Sequence, residues 1–313
     1  MDKKVNRFTG VIPPVSTIVT EEGNLDEKGM GLLIDNLIER GVDGLFFLGT
    51  GGEFSQMTFE QRRQVAEFAV KTVDGRVPVL IGTGATSTRE VVELNSHAHE
   101  IGADGVVIIN PYYVKLSEEN LFHHFSTAAA ASKLPVLLYN FPLLTDQDLS
   151  TDFVLRLVNE HENIVGIKET VKDIGHIRDM ILNVKAQHPG FSVFCGFEDL
   201  FLNTLSLGGD GIIGATGNFA PEPAIEMFRT YWEGDLHRAL KLNETLAYLP
   251  ELYSLDSPFM NVIKEAVSMV GLDISTAVLA PSRSLPEEKK EKLSAILNSA
   301  GVLQPQNANQ STE

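Results

Sequence analysis

One short phrase returns three times along the chain and narrows the folds open to it. Gly41-Val42-Asp43-Gly44 precedes Leu45-Phe46-Phe47-Leu48, Gly102-Ala103-Asp104-Gly105 precedes Val106-Val107-Ile108-Ile109, and Gly208-Gly209-Asp210-Gly211 precedes Ile212-Ile213. An amphipathic segment comes before each. The first glycine suits a helix C-cap, where a left-handed residue is needed. The turn then feeds an apolar run without alternation, the pattern of a strand buried on both faces of a parallel sheet. The runs Phe8–Ile12, Val77–Ile81, Pro135–Tyr139, Ile164–Lys168 and Phe191–Cys195 keep the same rhythm, with helical patterns such as Thr58–Val73 and Ser87–Ile101 between them.

About eight strand–helix units in one undivided stretch place the chain in the α/β class and favour a (β/α)8 TIM barrel over a doubly wound sheet. A dinucleotide-binding fold would need a glycine fingerprint after the first strand. That strand instead runs into Pro13-Pro14. The predicted organisation is a barrel over residues 1–233, a C-terminal helical extension packed on it over 234–303, and a disordered polar tail over 304–313.

Composition removes other classes of function. The net charge of −17 carries no basic face of the kind nucleic-acid binders show. Apolar stretches stay short of the roughly 18–20 residues of a membrane span. The first eight residues lack an apolar signal core, and a single cysteine, Cys195, cannot build an internal disulfide framework. These features point to a cytoplasmic protein that binds no nucleic acid and no membrane.

In a barrel the chemistry gathers at the C-terminal ends of the strands. Read in order, those ends are Gly49-Thr50-Gly51-Gly52-Glu53, Gly82-Thr83-Gly84, Asn110-Pro111-Tyr112-Tyr113, Tyr139-Asn140-Phe141-Pro142, Lys168-Glu169-Thr170, Gly196-Phe197-Glu198-Asp199 and Gly214-Ala215-Thr216. Lys168 follows a wholly apolar run, so its stem is expected to be buried at the mouth. Burial disfavours an ammonium, and a neutral amine is the nucleophile for imine formation with a ketone. The competing reading is a structural ion pair with Glu169. Tyr139 is either a proton shuttle or a core aromatic with a satisfied hydroxyl. The Thr50–Gly52 loop can cradle a carboxylate with its amides or be only a tight turn. His97 with His99, and His123 with His124, stand at spacings that do not face each other on a helix, so no metal site is expected.

Taken together, the motifs G-T-G-G-E at 49–53, P-Y-Y at 111–113, Y-N-F-P at 139–142, G-I-K-E-T at 166–170 and G-G-D-G-I-I at 208–213 resemble the pyruvate-aldolase superfamily typified by dihydrodipicolinate synthase and N-acetylneuraminate lyase. The resemblance covers nearly the whole chain. It implies a barrel with a helical extension, a homotetramer built as a dimer of dimers, and no cofactor. It implies that Lys168 forms the imine, that Tyr139 is the acid/base, and that Thr50 relays protons and contacts the pyruvyl carboxylate beside Gly51. It also implies that Tyr113 reaches across a subunit interface and that the backbone of Ile213 faces the pyruvyl group. Thr170, Gly196 and Glu198 match positions lining the sugar-chain site of the lyases.

Two departures bear on the substrate. The synthases carry threonine where Gly51 stands, and an arginine that clamps the aldehyde's carboxylate where Leu144 stands. Losing a charge-assisted clamp removes roughly 1.5–3 kcal/mol. The expectation is therefore an aldolase for 2-keto-3-deoxy sugar acids, such as the gluconate or pentonate, yielding pyruvate and a short hydroxyaldehyde. The alternative is the synthase reaction, pyruvate with aspartate semialdehyde.

Overall fold

The computed structural model describes residues 8–303. The expected tail over 304–313 and the first seven residues lie outside this range. Eight strands run in parallel: β1 (Gly10–Val11), β2 (Leu45–Phe47), β3 (Val79–Gly82), β4 (Gly105–Ile109), β5 (Val136–Asn140), β6 (Ile164–Glu169), β7 (Ser192–Cys195) and β8 (Gly211–Ile212). Their order is β1-β8-β7-β6-β5-β4-β3-β2. The ring closes where Pro14 bridges Phe46, with Val15 N donating to Phe46 O at 2.7 Å and Phe46 N to Pro13 O at 3.0 Å. The fold is a (β/α)8 barrel.

The recurring phrase has one structural job in all three places. Gly41, Gly102 and Gly208 take φ of 86°, 87° and 99°, which lets the chain leave each helix and turn at once into a strand. The aspartate two residues later bonds back to the preceding or adjoining strand. Asp43 accepts from Val11 N at 2.8 Å, Asp104 from Val79 N at 2.9 Å and Asp210 from Val193 N at 2.7 Å. Each of these aspartates also donates its own amide to the carbonyl of that same residue, at 2.9 Å each time. The three carboxylates thus pin neighbouring strands at the floor of the barrel and fix the register that aligns their opposite ends.

The helices between strands begin where the sequence supplies caps. Phe59–Val73 starts on a capping box of Thr58 and Gln61, and Glu118–Ala131 and Thr151–Glu160 start on Ser117 and Ser150. Each cap satisfies an otherwise orphaned amide of the first turn. Strand residues are almost all buried on both faces, as a helix-wrapped parallel sheet requires.

After the helix Glu222–Glu233, the chain continues through Leu236–Tyr248, a 3₁₀ segment Leu249–Ser254, and the helices Met260–Met269 and Glu287–Ser299. A buried ion pair ties this part to the barrel. Lys264 Nζ lies 2.5 Å from Glu53 Oε1, with both side chains fully buried. Glu53 Oε2 also accepts from Leu279 N at 2.6 Å, and Lys264 Nζ donates to Ala277 O at 2.6 Å. The loop after β2 is therefore clamped to the extension.

Candidate active site

A cavity of about 240 Å³ opens at the C-terminal ends of the strands. Its floor is Lys168 from β6 and Tyr139 from β5, which stand side by side because the two strands pair Tyr139 with Lys168. Lys168 is 4% exposed, and its Nζ lies 4.1 Å from the centroid of the Tyr139 ring and 5.5 Å from that of Phe46. The Tyr139 hydroxyl is 3.2 Å from Thr50 Oγ1. Thr50, Gly51, Thr170, Gly196 and Ile213 also line this cavity.

The ion pair considered for Lys168 and Glu169 does not form. Adjacent residues of a strand point to opposite faces, so Lys168 enters the barrel while Glu169 turns outward. Glu169 accepts from Asn140 Nδ2 at 2.9 Å and faces His176 Nδ1 at 3.3 Å. Asn140 also donates to Asp148 at 2.7 Å, and His176 Nε2 meets Asp148 at 3.2 Å. This network ties the ends of β5 and β6 together directly behind Tyr139 and Lys168.

The imidazole is central to that network. His176 is pushed up to about 10, first by its bond to Asp148 and then by its bond to Glu169. Asp148 is held below its usual range, chiefly by the same imidazole. Burial pushes Glu169 upward despite this partner, so the imidazolium is what makes a carboxylate tolerable there. A histidine whose pKa rises on folding stabilises the fold fully below its unfolded value of 6.5 and loses that contribution as pH climbs through about 10. In urea titrations, the wild-type protein is expected to lose stability across this window relative to His176→Asn. Parallel profiles for the two proteins would contradict the assignment.

Two expected site residues fall elsewhere. Tyr113 is 97% exposed, with φ of 79°, and within one chain it does not line the cavity. Glu198 is buried behind the wall rather than on its surface. Its Oε1 accepts from Thr216 N at 3.0 Å and Thr216 Oγ1 at 2.9 Å, and the Tyr253 hydroxyl donates to it at 3.0 Å. A glutamate is long enough to reach these donors, and they use the oxygens that a substrate would need.

The roof of the cavity comes from the extension, not from the barrel. Tyr253, Asp256, Ser257, Pro258, Phe259 and Met260 all line it. The helices after 234 therefore complete the site as well as packing on its scaffold. A relay of ring contacts runs from floor to roof through Phe46, Tyr139, Phe141, Phe197, Tyr253 and Phe259, with successive centroids 5.1–6.4 Å apart. Such contacts restrict each ring, including the phenol beside Lys168. The signal available in the sequence was the Ser257-Pro258 break, flanked by Tyr253 and Phe259 in otherwise helical sequence.

Gly196 makes room for Thr170. A Cβ there would stand 2.1 Å from Thr170 Oγ1 and 3.1 Å from Thr170 Cα. Thr170 Oγ1 is buried without a hydrogen-bond partner and belongs to a residue of the cavity wall. Gly196→Ala is expected to cost about 1–3 kcal/mol by overpacking, read by chemical denaturation, and to displace the threonine. A stability unchanged within error would show that Thr170 yields freely.

One histidine of each pair is buried in the packing, while His99 and His123 are exposed. His97 is buried against Glu67 at 2.8 Å, and His124 bonds Thr88 at 2.8 Å.

The profile of the dihydrodipicolinate synthetase family matches residues 7–300. The chain belongs to this family. It is 52% identical to YagE of Escherichia coli K12, named as a candidate 2-dehydro-3-deoxy-D-gluconate aldolase, over 93% of this chain and 96% of that one. It is 51% identical to YjhH of the same organism, named as a candidate 2-dehydro-3-deoxy-D-pentonate aldolase, over 96% and 99%. The crystal structure of YagE in complex with pyruvate superposes with a TM-score of 0.94, covering 95% of this chain and all of that one at 51% identity.

Proposed function

We propose that the chain is a Schiff-base aldolase that cleaves 2-keto-3-deoxy sugar acids to pyruvate and a short hydroxyaldehyde. The observation that carries this reading is the buried, carboxylate-free Lys168 beside the Tyr139–Thr50 hydroxyl pair. Lys168 Nζ adds to the C2 ketone, and loss of water gives an iminium. Tyr139, relayed by Thr50, supplies the proton that lets water leave and then takes the proton of the C4 hydroxyl. The C3–C4 bond breaks, its electrons flow into the iminium, and the aldehyde departs. Protonation of the enamine at C3 and hydrolysis release pyruvate and restore the lysine. The iminium is the electron sink, so the chemistry calls for no metal or organic cofactor.

Substrate choice is read from the wall. Among the described residues that line the cavity, Lys168 is the only cationic side chain, and Leu144, which the sequence resemblance matches to the synthases' carboxylate clamp, is one of the lining residues. An aldehyde bearing a second carboxylate, as the synthase reaction requires, would enter without a partner. The names of YagE and YjhH support the same choice. We place the active form as a homotetramer in the cytoplasm. Exposed Tyr113, Val114, Leu143 and Leu144 around the mouth support an assembly contact, with Tyr113 reaching a neighbouring site. The buried free Cys195 supports a reducing compartment.

The test is a cleavage screen that follows pyruvate release from five- and six-carbon 2-keto-3-deoxy acids, beside condensation of pyruvate with aspartate semialdehyde. Turnover of at least one deoxy acid with negligible condensation is expected. The reverse would assign the synthase reaction.

A further inference from the structure

Resting on the aldolase reading, we propose that Gln147 is a positioning residue: its buried side chain joins the loops after β4 and β5 and so holds the cavity wall against the sugar chain. The loop after β5 makes one helical turn, Pro142–Thr145, which puts Leu143 and Leu144 on the cavity wall. Both leucines are exposed, so neighbouring side chains do not pack them in place. The loop after β4 carries Tyr112 and Tyr113. Its stretch from Tyr113 to Lys115 is exposed, and Tyr113 has a φ of 79°, a conformation that a bulky residue keeps only when its surroundings fix it.

Gln147 is 8% exposed, and its amide pairs with Leu116 as a peptide group would. Leu116 N donates to Gln147 Oε1 at 3.2 Å, and Gln147 Nε2 donates to Leu116 O at 2.7 Å. Asn110 Nδ2 donates to the backbone carbonyl of Gln147 at 2.6 Å. Among the described residues, every hydrogen bond between the two loops thus passes through Gln147. The other polar link is an ion pair of Lys115 with Asp146 at 3.6 Å, both exposed, and such pairs contribute little in water. Thr145 Oγ1 donates to Phe141 O at 3.2 Å and to Gln147 O at 3.0 Å, so the turn bearing Leu143 and Leu144 is tied to the anchored residue. On its far side the β4 loop meets the loop after β2, where Tyr112 packs edge-on against Phe54 with centroids 6.0 Å apart. Gln147 therefore extends a belt from the Thr50 loop to the Leu144 wall. Lys168 and Tyr139 stand on paired strands and do not depend on it. Cutting this link leaves the imine chemistry at the floor in place and lets the wall drift from the sugar chain.

The experiment compares wild type with Gln147→Leu, which removes both bonds to Leu116, and with Gln147→Glu, which keeps the acceptor for Leu116 N and loses the donor to Leu116 O. Lys115→Ala, which removes only the exposed ion pair, serves as the control. Two rates are read on each protein. One is deuterium uptake at C3 of pyruvate in heavy water, which needs the imine and its enamine but no sugar chain. The other is cleavage of the 2-keto-3-deoxy sugar acid that wild type turns over fastest. The expected result for Gln147→Leu is a KM raised about tenfold, as when the wall is in place about a tenth of the time, with deuterium uptake within about twofold of wild type. Gln147→Glu is expected to raise KM in the same direction, and Lys115→Ala to change neither rate. A wild-type KM in both Gln147 variants would overturn the proposal. So would deuterium uptake that falls in step with cleavage, because the effect would then lie in the scaffold and not in the wall. Wild-type protein that neither exchanges pyruvate nor cleaves a deoxy acid would instead overturn the aldolase reading itself.

Discussion

Lys168→Met is expected to lower kcat for cleavage of a 2-keto-3-deoxy sugar acid by about 10⁴-fold or more while leaving the fold intact. The two halves of that result come from the same observation. The amine is the nucleophile, so removing it removes the covalent route altogether. It is not an ion-pair partner, because Glu169 faces away from it toward Asn140 and His176. Methionine can therefore fill the buried stem's space without leaving a carboxylate uncompensated. Pyruvate release measures the first half and urea denaturation the second. Residual cleavage within tenfold of wild type would require another nucleophile.

Lys264→Met should do the opposite. This second buried lysine stands 2.5 Å from Glu53 in a setting with no exposure on either side chain. Truncating it leaves Glu53 charged and buried, which costs about 3–5 kcal/mol. It also frees the Ala277 and Leu279 backbone that the pair holds. The loop after β2 carries Thr50, so activity is expected to fall with stability rather than ahead of it. The double replacement Glu53→Gln with Lys264→Met is expected to recover part of the loss, since no lone charge remains. Equal destabilisation in the single and double variants would show that packing, not charge, dominates this clamp.

The contrast between these lysines shows what was legible in the sequence. Lys168 ends a run of apolar strand residues, and position in a barrel strand is a local signal. Lys264 lies in Met260–Met269, where a lysine next to Glu265 resembles any solvated helix face. Its partner is more than two hundred residues away in sequence, and only the closed fold brings them together. The strands were legible for the same local reason, and so was the phrase that feeds them, although the role of its aspartates as pins between strands was not. Glu198 was visible as a strand-end residue, but the direction of its side chain depends on Thr216 and Tyr253, which sequence does not place beside it. The roof was missed because helices beyond residue 234 carry no barrel periodicity. The aromatic residues that line the cavity from that side read simply as hydrophobic.

The most direct test of the account is reductive trapping. Wild-type protein incubated with pyruvate and borohydride is expected to gain the mass of one reduced pyruvyl group, mapped by peptide sequencing to Lys168 and missing in Lys168→Met. Absence of the adduct, or its attachment to a different lysine, would contradict the central claim.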